Sequence, residues 1–147
     1  MEEARGKAAA VLEAQAEVEV PFHDIDPMNV AWHGHYLKYF ELARCELLRH
    51  FDYDYPKMRA SGTLWPIVEC HLKFIRPAVY GQRLRIGARL LEYENRIKIA
   101  YEIRDAQTGE RLTKGTTVQV AVDAASGELL FVSPPAVFER LREAGAI

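Results

Sequence analysis

Residues 35–51, HYLKYFELARCELLRHF, carry the one long helical period in the chain, and nearly everything downstream alternates as strands do. At about 100° per residue, Tyr36, Phe40, Ala43, Leu47 and Phe51 fall on one helix face. Leu37, Glu41, Arg44 and Leu48 make a flanking row, while Lys38, Glu46 and Arg49 lie nearer the opposite side. Leu42 and Cys45 add apolar character there, so the apolar surface extends beyond one stripe. A helix of this kind needs cover on more than one side. Strand-like segments follow at 65–75, 83–93, 96–106, 111–122 and 128–132, with turn chemistry at Glu94-Asn95, Gln107-Thr108-Gly109 and 124–127. Upstream, Val18, Val20 and Phe22 alternate with Glu17, Glu19 and Pro21, which reads as a strand starting at Ala16. Pro134 and Pro135 stop the sheet, and 136–144 reads as a short terminal helix. Strand, long helix, then consecutive antiparallel strands predicts an α+β fold with a sheet curled around the helix.

A chain of 147 residues that is 49% hydrophobic has material for one core and not for two. Residues 1–15, rich in Ala and Glu, read as a frayed tail before a single domain at 16–147. A formal net charge of -2 argues against bulk binding of nucleic acid or a membrane surface. No apolar run approaches the roughly 18 residues of a membrane span. Cys45 and Cys70 form no CxxC pair, and the acidic start lacks the apolar core of a signal peptide. The expectation is a reduced, cytoplasmic chain.

Chemistry concentrates in residues 23–36, HDIDPMNVAWHGHY, between a strand end and a helix start. Three of the five histidines, His23, His33 and His35, lie here with Asp24 and Asp26. A helix N-terminus offers unpaired N–H groups and partial positive charge, which stabilise oxygen charge developing on a carbonyl. A carboxylate placed beside it, as nucleophile or as base for water, completes a minimal acyl-transfer site. Short acidic side chains also satisfy loop and helix-start N–H groups. Asp24 reads as such an anchor, whereas for Asp26 the pattern leaves both readings open. His33 and His35 read equally as ordinary hydrogen-bonding loop residues. Metal binding is a third reading of His with Asp, but the spacing matches no metal signature and no Cys/His cluster follows.

Elsewhere the signals are weaker. Cys70 and His71 adjoin on a strand and so point to opposite faces, which excludes a direct nucleophile–base pair. Cys45 reads as a packed helix residue. Glu41 with Arg44 reads as an ion pair or as a water-positioning carboxylate. Lys73, Arg76, Arg83, Arg85, Arg89, Arg96 and Lys98 are spread over strands as a solvated face from which a few could hold phosphates.

Residues 24–44 resemble the hotdog-fold thioesterases of the 4-hydroxybenzoyl-CoA thioesterase and YbgC-like group. The resemblance is carried by Asp24-Ile25-Asp26-Pro27, Val30, Trp32-His33, Tyr36 and Tyr39-Phe40-Glu41-Leu42-Ala43-Arg44. It continues through Pro66-Ile67-Val68 and Phe74-Ile75-Arg76-Pro77 to about Val132. It implies a hotdog fold, a five- or six-stranded antiparallel sheet wrapped around a long central helix. It also implies dimers, often paired into tetramers, with active sites at the subunit interface. Catalysis then falls on Asp26 as nucleophile or general base. His33 supplies a backbone N–H to the thioester carbonyl, and its side chain is also implicated. One position departs: Asn29 stands where many relatives have glycine, though Asn tolerates positive φ better than most residues.

The reading is an acyl thioester hydrolase acting on acyl-CoA or acyl carrier protein, with no cofactor required. Tyr36, Phe40 and Trp65 are candidate pocket aromatics, equally readable as core, and Arg76 a candidate substrate contact. A hotdog hydratase or dehydratase and a non-enzymatic acyl-binding module are the rival readings. Strands 96–106 and 111–122 are long and only partly charged, and a small curled sheet has edges to protect, which predicts a homodimer or homotetramer.

Overall fold

The computed structural model describes residues 10–147. Its strands are β1 (Leu12–Glu19), β2 (Thr63–Leu64), β3 (Ile67–Phe74), β4 (Arg83–Glu92), β5 (Ile97–Asp105), β6 (Arg111–Gln119), β7 (Ala121–Asp123) and β8 (Leu129–Leu130). The helices are α1 (Tyr36–His50), α2 (Tyr55–Ala60) and α3 (Pro135–Glu143). Short 3₁₀ turns at Phe22–Asp24 and His33–His35 flank the loop that leads into α1.

Five strands form one antiparallel sheet in the order β1-β4-β5-β6-β3, and β2-β7-β8 make a small second sheet. The expected α+β hotdog architecture, a long helix against a five-stranded antiparallel sheet, is the one observed. Helix α1 packs on β1, β4 and β5. Leu84, Ile86, Ala88 and Leu90 of β4 and Ile97, Ile99, Tyr101 and Ile103 of β5 alternate toward it and are buried. Phe40 lies flat on Tyr101, with ring centroids 4.4 Å apart and planes 6° from parallel. Truncating Phe40 to Ala would leave a cavity costing about 3–5 kcal/mol. Gly115 lets β6 pass beneath this ring: a Cβ there would stand 2.8 Å from Phe40 and 2.3 Å from the His71 carbonyl oxygen.

Several expectations need correcting. Strand β1 starts at Leu12, inside the segment read as a frayed tail, because Leu12–Gln15 pair with Leu90–Gly87. The inward positions there include Ala14 and Ala16, whose small side chains hide the alternation from a hydrophobicity reading. The remainder of that segment, residues 1–9, lies outside the described residues. The tyrosine-rich loop contains α2, a helix too short to show a period, held by its buried Met58. The late strands β5 and β6 are interior, and the sheet edges are β1 and β3. Cys45 does not pack; it and Cys70 are both exposed and free. With Leu37 and Leu42 also exposed, the second cover that α1 calls for is not supplied by the described residues.

Candidate active site

The loop between β1 and α1 is a tight, pinned structure. Asp26 N–H donates to the Val30 carbonyl and Asn29 N–H to the Asp26 carbonyl, each at 2.9 Å, and Ile25 and Ala31 form an antiparallel bridge. Asp26 Oδ1 accepts from the Met28 N–H at 2.8 Å. Asn29 closes the turn at φ 65°, the left-handed conformation its amide side chain tolerates. Asn therefore performs here what glycine would do without strain.

Asp24 is 1% exposed. Lys38 Nζ donates to both its oxygens at 2.7 and 2.9 Å, and Tyr39 Oη donates to Oδ2 at 2.7 Å. His35 Nε2 stands 3.7 Å from Oδ1. Burial works to raise the Asp24 pKa, but the hydrogen bonds from Lys38 and Tyr39 and the Lys38 charge outweigh it and hold the carboxyl below its usual range. Burial, with the hydrogen bond to Asp24, drives the Tyr39 hydroxyl far upward. This carboxylate is consumed by structure: it ties the loop to the first turn of α1, through the Lys38 and Tyr39 side chains and not through the backbone N–H groups that the sequence reading assigned to it.

Asp26 differs. It is partly exposed, and no basic side chain pairs with it among the described residues. Its charge is felt by Tyr36, whose hydroxyl pKa rises first through burial and then through Asp26. Following the loop, the 3₁₀ turn His33–His35 runs directly into α1, and no side chain caps it. The His33 and Gly34 N–H groups meet no acceptor among the described residues. A Cβ on Gly34 would fall 2.1 Å from the half-exposed Trp32 ring folded across it, so a larger residue there would have to displace that ring. The His33 ring is exposed and faces Trp32 and Phe74, at centroid distances of 5.1 and 6.3 Å. No hydrogen bond joins the side chains of Asp26 and His33 among the described residues.

The other sequence candidates scatter. Tyr36 is buried, its Oη accepting the Ala78 N–H at 3.1 Å and its ring 5.3 Å from Phe74, so it sits beneath the site as support. Phe40 is core. Arg76 is exposed and paired with Glu110 at 3.1 Å. Glu41 and Arg44 form an ion pair at 3.0 Å, the first of the two readings their spacing allowed. Trp65 is buried, donating from Nε1 to Tyr53 Oη at 3.1 Å, and lines a cavity of about 270 Å³ between α1, α2 and the β2–β3 segment. Gln119 forms part of that cavity and was missed by the sequence reading. The available signal was a polar residue at an inward position of β6. Among the described residues, no group of three or more His, Cys, Asp or Glu side chains is arranged to hold a metal ion.

Comparison with known proteins identifies the family. The pattern of the thioesterase-like superfamily matches residues 20–142. The chain belongs to that superfamily. Acyl thioester hydrolysis is accordingly the chemistry its residues serve. A Synechocystis sp. protein named "Putative esterase sll0410" is 34% identical over 84% of this chain and 75% of its own length. "Putative acyl-CoA thioesterase YneP" of Bacillus subtilis is 26% identical over 77% of this chain and 82% of its own. The crystal structure of Slr0204, a 1,4-dihydroxy-2-naphthoyl-CoA thioesterase from Synechocystis, superposes with a TM-score of 0.79 at 20% identity. That match covers 89% of this chain and 96% of the other. The helix and sheet of this thioesterase-like chain are thus those of solved relatives. No helix among the described residues is long and apolar enough to cross a membrane.

Proposed function

We propose that the chain hydrolyses an acyl-CoA through Asp26 and the helical turn at His33–Gly34. The observation that carries this reading is the contrast within one loop: Asp24 is paired with Lys38, while Asp26 has no basic partner among the described residues and the helix start that the loop leads into is uncapped. The thioester carbonyl oxygen is placed at the free N–H groups of His33 and Gly34, where the helix dipole favours negative charge. The Met28 N–H holds Asp26 Oδ1 and leaves Oδ2 to act. Asp26 either attacks the carbonyl carbon or takes the proton of the water that does. By the first route loss of the thiolate leaves an Asp26–acyl anhydride that water then cleaves to free acid and Asp26; by the second, collapse of the tetrahedral oxyanion breaks the C–S bond and gives the acid directly. In both, the departing thiolate takes up a proton, for which the exposed His33 ring is the proposed donor. Incubation with acyl-CoA and a thiol reagent tests this: released thiol is expected. A changed double bond without thiol would make the chain a hydratase, and binding alone would make it a carrier module.

The edges of the sheet support a homo-oligomer. Strand β1 carries Glu13, Gln15, Glu17 and Glu19, exposed charges and an amide that discourage further pairing. Strand β3 is exposed along nearly its whole length, with Ile67, Val68 and Phe74 at 41, 53 and 51%. A second copy pairing antiparallel along β3 would bury these residues. The same pairing sets the Ile67 end of one copy beside the Phe74 end of the other, where Tyr36 and His33 stand. The active site is then shared between copies. Sedimentation at assay concentration is expected to give a homodimer or a multiple of it, and a fully active monomer would overturn this part.

For the carrier, most strand cations are already paired: Arg83 and Arg85 with Glu17, Arg96 and Lys98 with Glu92. Lys73 and Lys114 are register partners on β3 and β6, with Glu102 across from Lys114 on β5, and neither ammonium makes an ion pair among the described residues. Two neighbouring ammonium groups beside one carboxylate keep a net positive charge. They suit the phosphates of CoA, so added salt should raise KM more than it lowers kcat. An acidic carrier protein as the true substrate would show a steeper salt response and slow turnover of free acyl-CoA.

A further inference from the structure

Gln119 is a buried polar residue in a sheet position that normally holds an apolar one. Its Cα is in register with both Ile67 and Ile97, and the side chain is 4% exposed. Nε2 donates to the Trp65 carbonyl at 2.9 Å, which fixes the amide orientation because a carbonyl only accepts. Oε1 is therefore the uncommitted end, buried with no donor among the described residues. Sequences ordinarily avoid such an acceptor, and Leu or Met would fill the same space without it. Thr113 Oγ1 shares this condition but lies at the other end of β6 and does not line the cavity.

The residue lines the cavity of about 270 Å³ together with Leu48, Met58, Leu64, Trp65 and Ile67. An apolar cavity of about 150 Å³ accepts benzene, so this one has room for one or two rings or a chain of medium length. On its rim Arg44 pairs with Glu41 and Arg49 with Glu46, while Asp54 and Thr63 also line it. Gln119 Oε1 is the fully buried side-chain acceptor of this lining that has no donor among the described residues. Ile67, a partly exposed residue of this lining, stands at the end of β3 that the antiparallel pairing proposed above would bring to the Asp26 loop of a second copy.

We infer that this cavity receives the acyl part of the thioester and that Gln119 Oε1 accepts a hydrogen bond from a hydroxyl on that acyl group. The inference rests on the hydrolase reading above and adds a specificity residue to it. Leu64 and Ile67, 40 and 41% exposed, cover the approach and give way as the donor enters. The unhydroxylated analogue leaves the amide oxygen unpaired and is selected against.

The test compares matched thioesters: benzoyl-CoA with 3- and 4-hydroxybenzoyl-CoA, and octanoyl-CoA with 3-hydroxyoctanoyl-CoA, on the full chain and on Gln119→Met. In the full chain at least one hydroxylated partner should have a kcat/KM higher by about tenfold, and in Gln119→Met the pair should converge to within about twofold. No preference in any pair, or a preference that survives Gln119→Met, overturns the inference while leaving the hydrolase reading intact. No turnover of any thioester by the unaltered chain sinks the hydrolase reading instead; calorimetric titration with the hydroxylated and plain free acids then decides the role of Gln119 alone. Should Gln119→Met fail to fold, Leu64→Trp narrows the cavity from its exposed rim. It should lower kcat/KM for every acyl group tested, and unchanged turnover would remove the acyl group from this cavity.

Discussion

Asp24 and Asp26 are the same side chain two residues apart, and the fold gives them opposite fates. Asp24 turns inward beneath α1 and is met by an ammonium, a phenol and an imidazole. Asp26 sits on the turn, where one backbone N–H orients it and no cation neutralises it. A carboxylate saturated with donors has little basicity left to offer a substrate, whereas one held by a single N–H keeps it. On the proposed reading the loop separates anchoring from reactivity, giving the first to Asp24 and the second to Asp26.

The sharpest way to break this contrast is to exchange the charge of each aspartate for an amide. Asp26→Asn retains the acceptor for the Met28 N–H but removes base and nucleophile, so kcat should fall at least about a hundredfold with the thermal midpoint unchanged. Near-normal kcat in a folded variant would return Asp26 to the role of loop residue. Asp24→Asn should do the reverse. Removing a buried partner of Lys38 and Tyr39 is expected to cost about 2–3 kcal/mol in denaturant unfolding, below the range for fully buried pairs because Lys38 is half exposed. Its folded fraction should turn over thioester nearly normally, and a kcat loss at full stability would reverse the assignment.

Acid sharpens the same point. Because the folded Asp24 pKa lies below the ordinary 3.8, its stabilisation is complete above that value. It is lost as pH falls through the lowered folded pKa, where the native carboxylate is finally protonated. Stability curves of the unaltered chain and of Asp24→Asn should therefore converge on acidification below about pH 4. Curves that stay parallel would mean that Asp24 titrates alike folded and unfolded.

Two smaller effects probe the frame around the pair. His33→Ala should slow turnover by about tenfold, less than Asp26→Asn, since the proposed oxyanion donor is backbone and survives truncation. Loss as complete as that of Asp26→Asn would place the imidazole itself at the reacting atoms. Asn29→Ala should destabilise the turn by about 1 kcal/mol, while Asn29→Gly stays within a few tenths, as measured by thermal unfolding. Equal effects would mean that the amide side chain, and not the left-handed backbone, holds the turn.

The residues by themselves determined the local periods. The helix at 36–50, the strands from 83 onward and the fold class follow from spacing, because apolar positions must share a face whatever they later touch. The Asp–His segment and the ion pair of Glu41 with Arg44 were legible for the same reason: each is local in sequence. Only the tertiary structure decided the rest. Lys38 and Tyr39 reach Asp24 across fourteen and fifteen positions. Leu12–Gln15 became strand because β4 offered a free edge, not because alanines prefer strands. Strand β3 crossed to the far side of β6, leaving the late strands interior and its own apolar edge exposed. Gln119 lost its solvent through the same crossing, when Trp65 and Ile67 closed over it. Such facts depend on which distant surfaces meet, and a hydrophobic period records only that a surface is to be covered, not by what.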